Sequence, residues 1–90
     1  MKGCAIFGYF SGYVSNICGP NILLNDSVWH HVVVTFDRDG NGTWYTDTVN
    51  GTPRSIVAGN GQNINSSQNF YVGVSGSASD FVGYIDEVRV

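Results

Sequence analysis

One run of alternating oxygen-bearing side chains stands out in the chain, at Asp37, Asp39 and Asn41. Carboxylate and amide oxygens at alternate positions suit Ca²⁺, which takes about six to eight oxygen ligands. An EF-hand loop would end on a bidentate Glu, and the corresponding residue here is Thr48, so the run is not an EF-hand. The alternative is a hairpin tip whose Asp, Asn and Gly residues supply turn geometry. A calcium site at these three residues is therefore one of two open interpretations.

Exposed aromatic rings are the second candidate chemistry, because they stack on the C–H faces of sugar rings. The sequence predicts Tyr45, Tyr71 and Tyr84 as a carbohydrate-binding set. Adjacent residues of a strand face opposite sides, so one of Trp44 and Tyr45 must point outward. The competing interpretation is ordinary cross-strand aromatic pairing, which stabilises a sheet without binding a ligand.

Catalytic groupings are not indicated. Asp86 and Glu87 are adjacent, and neighbours on a strand point apart, whereas a retaining glycosidase needs two carboxyls about 5 Å apart. Their expected roles are to accept backbone N–H groups and to pair with an arginine. The adjacent His30 and His31 likewise cannot bind one metal from the same face, so hydrogen-bonded imidazoles are expected. The chain is predicted not to be an enzyme.

The elements that position these residues begin with a predicted hairpin over residues 4–10 and 13–18. A three-residue loop before Tyr13 would place Cys4 opposite Cys18 and permit a disulfide, whereas a two-residue loop would place Cys18 opposite Ala5. Both registers remain open. Further strands are predicted at 22–24, 28–37, 43–49, 53–58, 69–75 and 83–90, which gives seven or eight antiparallel strands with the turn spacing of a sandwich.

Composition fits a small β protein and excludes several partners. Ninety residues form a single domain, 1–90, and only 12% of them are charged, with a net charge of −3. Nucleic-acid binding needs clustered cations, and the 4 basic residues are scattered along the chain. No apolar run is long enough to insert into a membrane, and the first residues do not form a signal peptide.

Motifs in a recognisable order carry a family resemblance. They are Trp-His-His-Val at 29–32, a D-x-x-G turn at 37–40, Tyr-Thr-Asp-Thr at 45–48 where Y-V-D-G is usual, and G-x-I-D-E-V-R at 83–89. The chain thereby resembles the laminin-G-like, concanavalin A-like jelly-roll family. The resemblance implies an all-β, antiparallel jelly-roll-like sandwich with Trp29 buried between its layers. It also implies that Trp44 points inward and Tyr45 outward.

The resemblance covers residues 22–90 most clearly, which is only the C-terminal portion of such a domain. Because Thr48 replaces the usual turn glycine, the hairpin turn is expected to move to residues 50–51. A partial jelly roll exposes strand edges, so a homo-oligomer is expected. The resemblance implies a non-catalytic, calcium-assisted recognition module for carbohydrate or protein, secreted or at the cell surface. The alternative is a structural fragment that self-associates through its open sheet without a ligand.

Overall fold

Antiparallel strands in two sheets make up nearly all of the regular secondary structure in the described residues. The computed structural model describes residues 2–9, 12–62, 65, 67, 72–73 and 81–90, and the side chains of residues 6–9 and 12–15 lie outside the description. Within these residues the strands are β1 (Cys4–Tyr9), β2 (Gly12–Cys18), β3 (Val32–Phe36), β4 (Asn41–Thr46), β5 (Val49–Asn50) and β6 (Arg54–Ser55). The only helical element there is a short 3₁₀ turn at Val57–Gly59. An all-β fold is therefore confirmed.

The first sheet is the β1–β2 hairpin, and it is closed by a disulfide. Near the turn Tyr9 pairs with Gly12, and at the far end Cys4 pairs with Cys18 and is bonded to it. A shift in register between Phe7 and Gly8 accommodates one extra residue on β2. The cysteine pairing is therefore that of the register with the three-residue loop, whereas the pairing next to the turn is offset from that register by one residue. Closing a loop of about 15 residues stabilises a fold by roughly 3 kcal/mol.

The second sheet has four strands, in which β4 pairs with β3 on one side and with β5 and β6 on the other. Asp47 and Thr48 connect β4 to β5, and both have positive φ, 50° and 72°. Left-handed conformations at both central residues are typical of a type I′ turn. The prediction that this turn moves to residues 50–51 is therefore wrong. The Asp47 carboxylate is hydrogen-bonded to the His30 ring and to the His31 N–H, and these bonds fix the turn at its position although it contains no glycine.

The core lies where the two sheets pack against each other. Ile17 of β2 and Ile56 are fully buried, and the Trp44 indole packs against them. A Cβ atom added at Gly3 or Gly19 would lie within 1.9–2.4 Å of the nearest Trp44 ring atom, so only glycine leaves room for the indole. Trp44 Nε1 donates to the hydroxyl of fully buried Thr46, 2.9 Å away. The predicted inward orientation of Trp44 agrees with these contacts.

Trp29 departs from the expectation, because its side chain is 68% exposed. The predicted strand 28–37 forms only from Val32, and the preceding residues make a loop. Ser27 has a left-handed φ of 63°, and the Val28 N–H is bonded to the Asp26 carboxylate at 3.2 Å. This local turn diverts the chain from the sheet before Trp29, so the buried position predicted for that ring is wrong.

The predicted strand 83–90 is also not formed. Residues 81–90 are exposed throughout and have no ladder partner among the described residues. Glu87 has a φ of 55°, and its N–H donates to the carboxylate of Asp86 at 2.8 Å, which uses locally a donor that a ladder would need. Residues 22–24 are likewise not a strand, since the Ile22 N–H bonds back to Pro20 O. Most of the predicted strand 69–75 lies outside the described residues.

Candidate functional site

A histidine whose ring is hydrogen-bonded to two carboxylates lies at the start of the second sheet. His30 lies in the loop before β3, and its ring nitrogens reach Asp47 Oδ2 at 2.6 Å and Asp26 Oδ1 at 2.7 Å. Ionised carboxylates only accept hydrogen bonds, so the ring makes both hydrogen bonds at once when it is protonated and both of its nitrogens donate. Asp26, His30 and Asp47 are called the histidine bridge below. The His30 side chain is only 11% exposed, although both carboxylates face solvent.

The pKa values of the bridge shift in the directions that this charge arrangement requires. The hydrogen bond to Asp47, followed by that to Asp26, raises the pKa of His30 above its ordinary value of 6.5. The hydrogen bond from His30 lowers the pKa of Asp47 below 3.8, and the His31 backbone N–H lowers it further. The pKa of Asp26 is also lowered, mainly by the hydrogen bond from His30. Each partner therefore stabilises the charged form of the other.

The bridge fixes the chain on both sides of a shallow surface groove. His31 N donates to Asp47 Oδ1 and Asp47 N donates to His31 O, both at 2.8 Å. His31 and Thr48 are thereby held next to each other, and they line the groove together with Val33 and Tyr45. These four residues are called the Tyr45 groove. Its walls come from the loop before β3, from β3, from β4 and from the turn after β4.

The Tyr45 groove lies on the face of the second sheet that points away from the first. Tyr45 neighbours Trp44 on β4, and Trp44 faces the core, so the phenol points outward. In the antiparallel register Tyr45 is opposite Val33, whose side chain is 37% exposed. An outward, half-buried aromatic ring beside an exposed imidazole and a hydroxyl can stack on an apolar face and exchange hydrogen bonds at its edge.

Of the other two predicted sugar-binding residues, Tyr84 lies within the described part of the chain and does not join this groove. Tyr84 is 86% exposed on the C-terminal segment and is not among the residues that line the groove. Tyr71 lies outside the described residues. In the C-terminal segment, the adjacent carboxylates of Asp86 and Glu87 have the predicted structural partners. The Asp86 carboxylate accepts the Glu87 N–H, and Glu87 Oε2 lies 3.4 Å from a guanidinium nitrogen of Arg89.

Asp37, Asp39 and Asn41 form the tip of the β3–β4 hairpin. Asp37 Oδ1 accepts the Asp39 N–H at 3.1 Å, and the Asp37 N–H donates to Asn41 O at 3.0 Å. Asp39 Oδ1 accepts the side-chain amide of Asn60 at 2.6 Å. Each carboxylate thus has one oxygen engaged in holding the tip. Across the described ranges, no group of three or more His, Cys, Asp or Glu side chains is arranged to hold a metal ion.

Sequence reasoning missed the histidine bridge as a unit. It expected a hydrogen-bonded imidazole at His30 but did not identify the partners. The only local signal is Asp26, four residues before His30. The other partner, Asp47, becomes a neighbour only after β3 and β4 pair with Val32 opposite Thr46.

Comparisons with known proteins agree with the fold and the motifs. No curated protein and no solved structure matched the chain. A family model did match, over residues 7–90, and its description is the concanavalin A-like lectin/glucanases superfamily. That span contains both the histidine bridge and the Tyr45 groove. Laminin-G-like domains of this superfamily are generally non-catalytic and typically extracellular, and a carbohydrate- or protein-binding role fits them. The chain belongs to the concanavalin A-like lectin/glucanases superfamily.

Proposed function

We propose that the chain is a non-catalytic recognition module that binds carbohydrate at the Tyr45 groove. The observation that carries the proposal is the outward Tyr45 ring in a mostly apolar groove whose rim holds an imidazole and a hydroxyl. Pyranose rings present an apolar C–H face and a polar edge. The phenol ring of Tyr45 matches the first, and the side chains of His31 and Thr48 match the second.

The histidine bridge supports this proposal through pre-organisation. Binding costs free energy whenever flexible groups must be ordered, so a groove whose walls are already fixed loses less on binding. The hydrogen bonds from His30 and from the His31 backbone to Asp47 fix two of the four groove residues in the free protein. Asp47 is thus a positioning residue for the groove.

Secretion or display at the cell surface is part of the proposal. The Cys4–Cys18 disulfide supports it, because disulfides persist mainly in oxidising compartments. None of the helices in the described part of the chain is long and apolar enough to cross a membrane.

Calcium assistance stays a prediction, with Asp37, Asp39 and Asn41 as its ligands. The second carboxylate oxygens of Asp37 and Asp39 are the atoms that would coordinate Ca²⁺. Calorimetric titration of the protein with CaCl₂, after dialysis against a chelator, tests it. Asp39→Asn removes one ligand charge and retains an oxygen that accepts from Asn60, so a calcium signal lost in this variant would support the site.

A glycan array followed by calorimetry on the best hit tests the carbohydrate proposal. Tyr45→Ala should abolish binding, whereas Tyr45→Phe, which keeps the ring and removes only the hydroxyl, should retain most of it. Tyr84→Ala, outside the groove, tests the separate prediction that Tyr84 contributes to binding. No binding to any glycan, with or without calcium, or equal binding by the wild type and Tyr45→Ala, would refute the site.

A further inference from the structure

Asparagine followed by glycine occurs three times in the chain, at residues 41–42, 50–51 and 60–61. Asparagine is chemically labile, because the backbone nitrogen of the next residue can attack its side-chain amide carbon. A following glycine favours the attack, since it has no Cβ atom to obstruct the approach and the widest choice of backbone angles. The peptide unit between the two residues must also turn, so hydrogen bonds or close packing at that unit oppose the reaction. The fold therefore decides which of the three pairs can react.

Two of the three pairs are fixed in the second sheet. Gly42 is buried where β4 pairs with both β3 and β6, and a Cβ atom added there would lie 2.2 Å from Ile17 Cδ1. Gly51 is also buried, and its N–H donates to Trp44 O at 2.8 Å. A Cβ atom added at Gly51 would lie 2.1 Å from Cys18 O. Turning either peptide unit would disrupt the sheet at a buried position.

The third pair lies in the exposed loop after the 3₁₀ turn. The amides on either side of the Asn60–Gly61 peptide unit are bonded, since the Asn60 N–H donates to Val57 O at 2.9 Å and the Gln62 N–H donates to Gly59 O at 3.1 Å. Within the described residues the Gly61 N–H has no such partner. Gly61 has a φ of 77°, and a Cβ atom added there would meet no described heavy atom within 4 Å. This peptide unit can therefore turn without displacing another described part of the molecule.

The side-chain amide of Asn60 attaches this loop to the tip of the β3–β4 hairpin. Asn60 Nδ2 donates to Asp39 Oδ1 at 2.6 Å. The guanidinium of the adjacent Arg38 donates to the carbonyl oxygens of Gly59 and Gln62, which gives the loop a second attachment to the same tip. A carboxylate in place of the Asn60 amide would remove the donor and set two negative charges against each other. Losing the amide would thus break the first attachment.

We propose that Asn60 is a site of spontaneous deamidation, and that its conversion detaches the loop from Asp39. The Gly61 nitrogen attacks Asn60 Cγ and gives up its proton to a solvent base. The bond from Cγ to the side-chain nitrogen then breaks, and that nitrogen takes a proton from water and leaves as ammonia. Water opens the resulting cyclic imide at either carbonyl carbon, which gives an aspartate or an isoaspartate. The net charge of the chain becomes more negative, because a neutral amide is replaced by a carboxylate.

Peptide mapping compares the reactive pair with the two fixed pairs. Trypsin, which cleaves after arginine, places Asn60 in peptide 55–89 and both Asn41 and Asn50 in peptide 39–54. The folded protein is incubated at mildly alkaline pH, alongside the same protein unfolded in guanidinium chloride with its disulfide reduced. Mass spectrometry with electron-based fragmentation then locates each aspartate and isoaspartate.

The folded protein should react at Asn60 and stay intact at Asn41 and Asn50. The unfolded chain should react at all three, because the sheet no longer restrains the other two pairs. The unfolded sample is thus the matched control, with the same sequence and without the fold. The proposal is overturned if Asn60 in the folded protein reacts no faster than Asn41 and Asn50, or does not react at all.

The detachment of the loop is tested with the product itself. In Asn60→Asp, hydrogen exchange of the Gln62 N–H should be faster than in the wild type, because the loop that holds its bond to Gly59 O has lost one attachment. Adding Asp39→Asn supplies an amide donor from the opposite side of the pair and should slow the exchange again. An exchange rate unchanged by Asn60→Asp, or not slowed by Asp39→Asn, would show that the amide of Asn60 does not hold the loop.

Discussion

Replacing Thr48 by glycine should stabilise the protein, although it removes a side chain. Thr48 occupies a left-handed conformation, with φ of 72°, in the turn between β4 and β5. For an L-residue this conformation costs about 1–2 kcal/mol, and a β-branched side chain is among the least suited to it. The Thr48 side chain is exposed, so little packing is lost on its removal.

The gain is reduced because glycine loses more conformational freedom on folding than other residues. That entropic cost is about 0.5–1 kcal/mol, which leaves a net stabilisation of up to about 1.5 kcal/mol. For a domain of this size, 1 kcal/mol changes Tm by about 4–8 °C, so Tm should rise by up to roughly 12 °C. Thermal unfolding followed by circular dichroism, at a concentration where the protein is monomeric, measures this change in Tm.

Two variants serve as controls for this reasoning. Thr52→Gly changes an exposed loop threonine without a positive φ, so it carries only the entropic cost and should lower Tm. Thr48→Ala keeps a Cβ atom in the left-handed region and should change Tm far less than glycine does. The reasoning is refuted if Thr48→Gly lowers Tm as much as Thr52→Gly does.

The histidine bridge should make stability depend on pH. Because the pKa of His30 is raised in the folded state, its contribution to the free energy of unfolding is fully present below pH 6.5 and is lost as pH rises through the folded pKa. The pKa values of Asp26 and Asp47 are lowered, so their contributions are present above pH 3.8 and are lost as pH falls through the folded pKa values. The Tm difference between wild type and His30→Gln should therefore be largest between pH 3.8 and pH 6.5. NMR titration of Asp47→Asn should show a lower His30 pKa than in the wild type, and an unchanged His30 pKa would contradict the bridge. A methyl group at Gly51 would lie 2.1 Å from the Cys18 carbonyl oxygen, so Gly51→Ala should cost about 1–3 kcal/mol or more in chemical denaturation. Gly40→Ala, whose methyl meets only the flexible Asp37 side chain at 3.1 Å, is its control, and equal losses would show that the close approach at Gly51 is relieved elsewhere.

Features set by local sequence were predictable. The strands at residues 4–18 and the β3–β4 hairpin follow from alternating β-branched and aromatic residues around turns rich in Gly and Asn. The inward Trp44 follows from the same alternation combined with the family register. The disulfide was open because a bulge, which no local signal announces, decides which residues face each other.

Features that depend on distant partners were not predictable. Trp29 was expected inside because the family motif places it there, but the turn at Ser27 and the histidine bridge direct the loop away from the sheet. The turn at Thr48 contradicts residue preference, since threonine rarely adopts positive φ. Contacts to Asp47 from His30 and His31 outweigh that preference, and they are apparent only once the strand register is known.

The crosslink between Cys4 and Cys18 has a consequence beyond its loop-closure entropy. It covalently locks the alignment of β1 and β2 at the end where Gly19 N–H bonds to Gly3 O, and both glycines contact the Trp44 indole. A slip of one residue in β2 would turn Ile17 from the interior to the outside and put its polar neighbour Asn16 in its place. Formation of the disulfide therefore determines which face of the hairpin packs against the second sheet.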